Sequence, residues 1–401
     1  MSHSSNGHSN GTGRTDHHFA TRAIHSGEHS DPATGAHNTP IYQTATYAFH
    51  DLERKAAAMA GEADAYFYTR LGNPTNAAFE QKVADLEGGE AAVAGASGMA
   101  VIAAAFFALV QSGDHVVASD AVYHWAEVLF SEASPTLHIE VTRVDPGDLD
   151  AVRAAIRPNT RMLYTELLSN PGIRIADIAA WGALAQETGI PLVVDNTFTS
   201  PYLVRPLEHG ASLSLHSATK YLSGHGDALA GVITGSAELI HKVRHQIQLL
   251  GSPLSPFNAW LILRGIRTLD LRMERHCDNA ARLAEFLSNQ PEVEQVNFAG
   301  LPSHPNHEAA TRLMGNRYGG MLSFVIRGGV DGANQFANAL RLADHAVSLG
   351  DVNTLVWPYQ GGLIRVSVGC EHIDDLIADF EQAFEATSST SAAAAATSDN
   401  A

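Results

Sequence analysis

Residues 190–220 read IPLVVDNTFTSPYLVRPLEHGASLSLHSATK and contain two short apolar runs, IPLVVD and SLSLHS, each followed by polar residues. Runs of this length are typical of buried strands. Similar runs occur on both sides of this stretch, and amphipathic patterns such as IADIAAWGALAQETG lie between them. Strands that alternate with helices in this way predict βαβ units, so the middle of the chain is predicted to be an α/β domain with a mainly parallel sheet.

The pattern changes after residue 258, where a long helical stretch is followed by shorter strands and a closing helix. We therefore expect an α/β domain over residues 73–258, then a linking helix and a smaller C-terminal α+β domain over residues 259–385. Residues 1–18 and 386–401 are rich in small and polar residues. We expect both ends to be disordered, because they cannot bury enough apolar surface to offset their ordering entropy.

The chain has 401 residues and a formal charge of −18, from 25 Lys and Arg against 43 Asp and Glu. This charge repels polyanions, so we expect neither a nucleic acid nor a membrane as a partner. No apolar run approaches the ~20 residues that span a bilayer. Cys277 and Cys370 lie outside any metal-ligand spacing, which predicts no structural metal, no disulfide and a cytoplasmic location. The histidines near the N-terminus could chelate a metal, but a solvated polar tail is the simpler interpretation.

Two polar groups follow the apolar runs of the opening stretch. Asp195 ends the first run, and Lys220 follows the second run together with Ser217 and Thr219. Each residue alone could be a turn cap or a solvated loop charge. Together they supply an amine, an anion and hydroxyl donors, which are the groups that pyridoxal 5'-phosphate (PLP) needs for its Schiff base, its ring nitrogen and its phosphate. The sequence therefore predicts PLP as the cofactor, carried by Lys220.

A further phosphate-binding feature occurs where the apolar run EAAVAGA turns into a helical pattern at Ser97, Gly98 and Met99. The N-terminus of a helix has free N–H groups and a favourable dipole for an anion. Glycine at this point would let the backbone approach the phosphate closely.

At this point the chain resembles the γ-family of PLP enzymes of cysteine and methionine metabolism, which includes cystathionine γ-synthase, cystathionine lyases, methionine γ-lyase and the homoserine sulfhydrylases. The resemblance covers residues 19–385. It rests on the segments ATRAIHSGE, TPIYQTATYAF, YTRLGNPTN, ASGMAV, VVDNTFTSP, SATKYLSGH, SPFNAWLILRGIRTLDLRMERH and IRVSVGCEHIDDLIADFEQAF, in this order. The resemblance implies an aspartate-aminotransferase-like fold of type I, with a mixed and mainly parallel sheet.

The resemblance also implies roles for individual residues. Lys220 and Asp195 are expected to be catalytic with Tyr123, which stacks on the cofactor ring and helps proton transfer. Asn170 is expected to contact the ring hydroxyl. The expected phosphate ligands are Gly98, Met99, Ser217 and Thr219.

Arg365 is expected to pair with the carboxylate of an amino acid substrate, and Ser348 is expected to lie beside it. Tyr68 and Arg70 resemble a pair that reaches the phosphate of the neighbouring subunit. Residues 19–72 would then form an arm to the neighbour, and the protein would be a homo-oligomer, expected to be a tetramer built as a dimer of dimers.

The sequence departs from the family pattern around the substrate. The segment SLGDVNTLVWPYQGGLIRVSVG is shorter than the usual loop over the substrate, so the mouth of the site is expected to be open or filled by Trp357 and Tyr359. His124 and Trp125 follow Tyr123, where the family commonly has small residues or, in methionine γ-lyases, a cysteine.

Two further departures are single residues. Asn353 stands where a glutamate is common, and it is expected to contact the substrate. Leu168 replaces a residue of the usual run before Asn170.

The resulting hypothesis is γ-elimination or γ-replacement on a γ-substituted α-amino acid, of the homoserine-ester, thioether or sulfonium type, through aldimine, quinonoid and vinylglycine intermediates. The altered rim suggests a larger, non-standard substrate of specialised metabolism. One alternative is β-elimination of the cystathionine β-lyase type. Another is a catalytically silent binding protein with the same fold.

Overall fold

The computed structural model describes residues 17–49, 51–60 and 65–398, with side chains described up to residue 387. All but the last two residues of the tail expected over residues 1–18 therefore lie outside the described residues. No helix in these ranges is long and apolar enough to cross a membrane.

The N-terminal segment contains α1 (Phe19–His25), α2 (Leu52–Met59) and α3 (Pro74–Glu87). Ion pairs hold its beginning against α3. Arg22 Nε lies 3.0 Å from Asp85 Oδ2, and Nζ of the buried Lys82 lies 2.8 Å from Glu28 Oε1. Lys82 Nζ also donates to two backbone carbonyls of α1, at 2.7 and 3.0 Å. These contacts fix α1 and the segment that follows it on α3.

The larger sheet has seven strands. They are β1 (Ala91–Gly95), β2 (His115–Ser119), β3 (Glu140–Val144), β4 (Thr160–Glu166), β5 (Leu192–Asp195), β6 (Leu213–Ser217) and β7 (Gly231–Gly235). Their order across the sheet is β1-β7-β6-β5-β4-β2-β3. β7 is antiparallel to β1 and β6, and the other neighbours are parallel. The sheet is therefore mixed and mainly parallel, as predicted.

Helices cover both faces of this sheet. Leu192 and Val194 of β5 belong to one buried apolar cluster and Val193 belongs to another, because successive side chains of a strand point to opposite faces. The helices between the strands are α4 (Gly98–Leu109), α5 (His124–Val128), α6 (Ser134–Thr136), α7 (Leu149–Ala155), α8 (Ile178–Thr188), α9 (Ser200–Leu203) and α10 (Ala237–Leu249), with a π-helical turn (Leu129–Ala133) and a 3₁₀ turn (Pro206–His209).

The long helical stretch after residue 258 is two helices, α11 (Pro256–Ile266) and α12 (Leu269–Ser288), and not one linking helix. The break follows Gly265, whose carbonyl accepts hydrogen bonds from the Thr268 hydroxyl at 3.1 Å and from Arg272 at 2.9 Å. Arg272 is buried and also donates to the carbonyl of Tyr221 at 2.8 Å. These local hydrogen bonds end α11 and join the helix pair to the loop that follows β6.

The second sheet has five strands, which are β8 (Val293–Asn297), β9 (Met321–Ile326), β10 (Asp344–His345), β11 (Leu355–Pro358) and β12 (Leu363–Ser367). A short 3₁₀ turn (Gln360–Gly362) separates β11 from β12. The helices are α13 (His307–Met314), α14 (Gly329–Ala339) and α15 (Ile373–Ser398). Phe324, Phe336, Phe380 and Phe384 form an aromatic core with ring centroids 4.5 to 6.5 Å apart. This is the smaller α+β unit that the sequence predicted.

α15 continues to Ser398, past the point where a disordered tail was predicted to begin. This tail contains a run of alanines, and alanine has the highest helix propensity of all residue types. This propensity is the physical reason why the helix extends into the tail.

The two sheets meet beside Lys220. Gly350 has φ +74°, and a Cβ atom there would lie 2.6 Å from the backbone nitrogen of Tyr221. Val352 N–H donates to the carbonyl of Gly224 at 3.1 Å. A glycine at position 350 therefore lets the smaller unit pack directly on the loop that carries Lys220.

Candidate active site

A cavity of about 850 Å³ is lined by residues of both sheets and lies at the carboxyl ends of the parallel strands. This edge is where ligands bind in open α/β sheets. Ten of the thirteen residues predicted for the site line it: Gly98, Met99, Tyr123, Asn170, Asp195, Ser217, Thr219, Lys220, Ser348 and Arg365.

Lys220 lies in the tight turn after β6, where its N–H donates to the carbonyl of Ser217 at 3.1 Å. Its Nζ donates to Ser348 Oγ of the smaller unit at 2.8 Å. Burial lowers the pKa of Lys220 to about 8, and the charge of Arg365 contributes to this shift. An amine with this pKa is partly uncharged near neutral pH, which is the form that acts as a nucleophile or a base.

Asp195 is the last residue of β5, and Thr197 supplies the hydrogen bonds to its carboxylate. Oδ1 of Asp195 accepts a hydrogen bond from the N–H of Thr197 at 2.9 Å and one from its hydroxyl at 2.5 Å. Burial raises the pKa of Asp195 above its ordinary value, while these two hydrogen bonds lower it. No hydrogen bond from any described residue reaches Oδ2. The free oxygen suits a cationic N–H donor.

Thr197 also joins the two central strands. Its Oγ1 accepts a hydrogen bond from the N–H of Ser217 at 2.8 Å, so the end of β5 is tied to the end of β6. Below them, His216 Nε2 lies 2.5 Å from Glu87 Oε1, with both side chains buried. The proximity of His216 also lowers the pKa of Asp195. Thr197 and the Glu87–His216 pair were not predicted from the sequence.

The N-terminus of α4 forms the predicted anion site. Ser97 caps the helix, because its Oγ accepts a hydrogen bond from the N–H of Ala100 at 3.1 Å. The N–H groups of Gly98 and Met99 have no acceptor among the described residues, as expected for a first helical turn. A Cβ atom on Gly98 would lie 2.9 Å from Cβ of Ser217, so only glycine lets the helix approach β6 this closely.

Tyr123 directly precedes α5, and its backbone N–H donates to Oε1 of Glu166. Glu166 ends β4 and is paired in register with Asp195. Burial raises the pKa of Glu166 well above its ordinary value, and the charge of Asp195 raises it further. Two adjacent buried carboxyl groups do not both ionise, so Glu166 holds the proton and Asp195, with its two donors, holds the charge. No role was predicted for Glu166 from its position in the sequence.

Arg365 lies on β12 and is 2 % exposed. Its guanidinium donates to Asn170 Oδ1 at 3.1 Å and to the carbonyls of Val347 and Ser348 at 2.8 and 2.9 Å. Its Nε is buried and has no hydrogen-bond partner in the described part of the chain. A buried cation with an unpaired N–H group is suited to an anionic ligand.

Three predicted residues do not line this cavity. Tyr68 and Arg70 are exposed near α10, where the Arg70 guanidinium donates to the carbonyl of Gln248 at 3.1 Å. Asn353 is exposed, lies outside the cavity lining, and donates from its Nδ2 to Asp344 Oδ2 at 3.2 Å.

The two aromatic residues expected at the mouth differ in position. Tyr359 lines the cavity, but Trp357 does not.

The donors and acceptors of the cavity fit PLP. The amine of Lys220 suits the aldehyde, the free Oδ2 of Asp195 suits a protonated ring nitrogen, and the open N–H groups of Gly98 and Met99 suit a phosphate. The Cβ constraint at Gly98 shows that a side chain there would fill the space beside Ser217.

Residues 20–361 match the family described as Cys/Met metabolism PLP-dependent enzyme. The chain belongs to this family. The protein is therefore a PLP-dependent enzyme of amino acid metabolism, and the predicted cofactor and family are confirmed. Membership also argues against the catalytically silent alternative.

Several characterised relatives are similar over nearly their whole length. The chain is 44 % identical to L-methionine gamma-lyase of Pseudomonas putida, over 92 % of this chain and 98 % of the relative. It is 40 % identical to canavanine gamma-lyase of Pseudomonas canavaninivorans, over 92 % and 95 %. It is also 40 % identical to O-succinylhomoserine sulfhydrylase of Pseudomonas aeruginosa, over 92 % and 95 %. These relatives act on different substrates, so similarity alone does not select one.

Solved structures agree with this assignment. The crystal structure of metB from Corynebacterium glutamicum has a TM-score of 0.88 and 39 % identity, covering 93 % of this chain and 99 % of that chain. The metY protein of Campylobacter jejuni, with N'-pyridoxyl-lysine-5'-monophosphate, has a TM-score of 0.88 and 32 % identity, covering 92 % and 100 %. The predicted fold of type I is confirmed.

The pKa of Lys220 predicts how the apoenzyme takes up its cofactor. Above about pH 8 the amine is mainly uncharged and reacts with an aldehyde, whereas below it the amine is mainly protonated. The rate of PLP uptake, followed by the visible absorbance of the bound cofactor, should rise as the pH passes about 8 and then level off. Lys220→Ala is the control and should lack this pH dependence. A rate that stays constant across this range would contradict the assignment.

The Glu166–Asp195 pair predicts that two matched amide substitutions lower kcat to very different extents. Asp195→Asn removes the charge and should lower kcat on the order of 10²-fold or more. Glu166→Gln replaces a carboxyl group that is already neutral and keeps an acceptor for the N–H of Tyr123, so it should lower kcat by less than about fivefold. Steady-state kinetics with the cofactor content of each variant measured would check both. A larger loss for Glu166→Gln than for Asp195→Asn would reverse the assignment of the charge.

Proposed function

We propose that this enzyme carries out γ-elimination or γ-replacement on a γ-substituted α-amino acid, with Lys220 moving the protons. The observation that carries this proposal is the position of Ser348 between two charged groups. Its Oγ accepts from the amine of Lys220 at 2.8 Å, and its carbonyl accepts from the guanidinium of Arg365 at 2.9 Å. One residue therefore holds the base and the proposed carboxylate-binding group side by side.

Arg365 binds the α-carboxylate of the substrate in this proposal. Asn170 and two backbone carbonyls fix its guanidinium, so little side-chain freedom is lost when the substrate binds. A carboxylate bound there places Cα of the substrate near the amine of Lys220.

Lys220 removes the proton from Cα and then transfers a proton at Cβ, which γ-chemistry requires and β-elimination does not. Bound PLP supplies an electron sink that stabilises the negative charge left on the substrate. Asp195 keeps the nitrogen of that ring protonated through its free Oδ2. Tyr123 remains a phenol, because burial and the neighbouring acidic pair of Glu166 and Asp195 raise its pKa, so its hydroxyl is available to give a proton to the leaving group.

Products and isotope exchange distinguish γ- from β-chemistry. With cystathionine, methionine, O-acetylhomoserine and S-adenosylmethionine as a panel, γ-elimination leaves 2-oxobutanoate, whereas β-elimination of cystathionine leaves pyruvate. In D₂O, γ-chemistry should also introduce deuterium at both Cα and Cβ of the recovered substrate. Lys220→Ala should abolish exchange at both carbons. Pyruvate as the main product, with exchange at Cα alone, would support β-elimination instead.

We also propose that the active form is at least a dimer and, as in the family pattern, a dimer of dimers. Tyr68 and Arg70 are exposed and lie outside the cavity of their own subunit, which supports a role at the phosphate of the neighbour. A guanidinium matches phosphate oxygens well, because its planar fork can donate two hydrogen bonds.

Mixing two inactive variants tests this arrangement. In a hybrid of Arg70→Ala and Lys220→Ala subunits, one of the two sites has both residues intact. After full exchange, about a quarter of the wild-type activity should return, since random pairing makes half of the dimers hybrids. Mixing Arg70→Ala with the double variant Arg70→Ala/Lys220→Ala is the matched control and should restore none. No recovery in hybrids confirmed by mass spectrometry would show that each subunit completes its own site.

A further inference from the structure

The hairpin of β11 and β12 is closed by a very short turn beside the cavity. Tyr359 N–H donates to the carbonyl of Leu363 at 2.7 Å, and the chain reverses at Gly361 and Gly362, which have φ +74° and +80°. No longer segment therefore separates β11 from the strand of Arg365. As a result, the side chain of Tyr359 forms part of the cavity wall.

Tyr359 is held over the proposed carboxylate-binding group. Its ring centroid lies 5.9 Å from the guanidinium carbon of Arg365, within the range of a cation–π contact. Trp357 lies two residues earlier, within β11, and outside the cavity. The end of the hairpin therefore places the ring of Tyr359 in the cavity wall and leaves the ring of Trp357 outside it.

Other residues at the mouth of the cavity are also apolar. Trp125 lines the cavity and is 54 % exposed, with its ring packed edge-on against His124 at 5.4 Å. Leu229 and Val347 line it as well and are 57 % and 67 % exposed. Apolar side chains grouped at the mouth of a cavity mark a binding surface more often than a neutral part of the exterior.

The outer wall offers little to a charged substituent. Among the described lining residues, Glu127 is the only carboxylate outside the Glu166–Asp195 pair. Its oxygens lie 2.5 to 2.9 Å from nitrogens of Arg143, so its charge is already paired. A distal ammonium would therefore find no free carboxylate among the described residues of this wall.

The position of the amino acid end sets the direction of the rest of the substrate. With its carboxylate at Arg365 and its Cα near Lys220, a substrate directs its γ-substituent away from these buried groups and toward the exposed mouth. We propose that this mouth is a subsite for an uncharged aromatic group at the γ position, and that Tyr359 and Trp125 determine specificity for it. This inference rests on the proposed function.

Equilibrium binding of two unreactive amino acids tests the subsite. L-norleucine and L-2-amino-6-phenylhexanoate have no leaving group at Cγ and correspond to methionine and S-benzyl-L-homocysteine with sulfur replaced by carbon. Titration calorimetry on the holoenzyme should give a Kd for the phenyl compound at least about tenfold lower than for norleucine, because the ring buries apolar area and packs on aromatic side chains. Tyr359→Ala and Trp125→Ala should each lower this ratio about fivefold or more.

Two matched variants separate a specific contact from a general packing effect. Tyr359→Phe keeps the ring and should keep the ratio. Trp357→Ala removes an indole of the adjoining β11, outside the cavity, and should also keep the ratio. Equal affinities for the two ligands in the wild type would overturn the inference. The inference would also be overturned if Tyr359→Ala and Trp125→Ala weakened the binding of the phenyl compound and of norleucine by the same factor.

Turnover of S-benzyl-L-homocysteine distinguishes failure of the subsite from failure of the proposed function. Elimination breaks the Cγ–S bond, and with one water it yields phenylmethanethiol, 2-oxobutanoate and ammonia. We expect kcat/KM for this substrate to exceed that for methionine by about tenfold, with the difference reduced in Tyr359→Ala. Equal values for both substrates would overturn the subsite alone, whereas no 2-oxobutanoate from any γ-substituted amino acid would overturn the proposed function as well.

Discussion

Asp195 is a carboxylate that the fold holds at the end of a buried strand, where hydrogen bonds from Thr197 offset part of the cost of burying its charge. Removing a carboxylate from water is costly unless donors replace the lost solvation. Thr197 supplies an N–H and a hydroxyl to one oxygen, and the same hydroxyl oxygen accepts the N–H of Ser217. The second oxygen has no donor among the described residues, so a cationic ring nitrogen bound there would lower the cost. A cofactor that binds only the folded state in this way also stabilises that state.

In the proposed mechanism, the same region couples substrate recognition to the proton affinity of Lys220. Arg365 and Lys220 both hydrogen-bond to Ser348, and the charge of Arg365 helps to lower the pKa of Lys220. When a substrate carboxylate binds Arg365, part of this repulsion is neutralised. The affinity of Lys220 for a proton therefore rises when the substrate is in place, which favours proton abstraction.

Much of the site could be predicted because its residues follow strand ends in short motifs. Lys220 and Asp195 were placed from two apolar runs and the polar residues that follow them, and the fold from the alternation of strands and helices. Thr197 was missed because a threonine two residues after an aspartate also fits an ordinary turn. The spacing Asp-x-Thr was the signal that could have identified it. Glu166 was missed as a separate group, because its protonation depends on a neighbour 29 positions away along the chain.

Other differences between the predictions and the structure depend on three-dimensional geometry that a local sequence pattern does not contain. Trp357 and Tyr359 are two positions apart, so the alternation of an extended chain predicts the same face for both and cannot tell which one reaches the cavity. In the structure β11 ends at Pro358, and Tyr359 lies at the start of the turn. That difference depends on where the hairpin turns. Asn353 was assigned from its position in a family pattern whose following loop is longer, and here the shorter segment leaves it exposed beside Asp344. The break between α11 and α12 depends on Arg272, which bonds across to a distant loop.

The short turn between β11 and β12 has a further consequence for how the family can diversify. Both strands are paired up to the turn, so residues inserted at its tip would extend a surface loop without disturbing the β12 position of Arg365. The entropic free-energy cost of closing a loop rises by only about 0.6 kcal/mol for each doubling of loop length. Changes of length at this single point could thus exchange one active-site cover for another while the catalytic groups on the larger sheet stay unaltered. The turn between β11 and β12 is therefore a suitable position at which to insert loops when substrate preference is engineered.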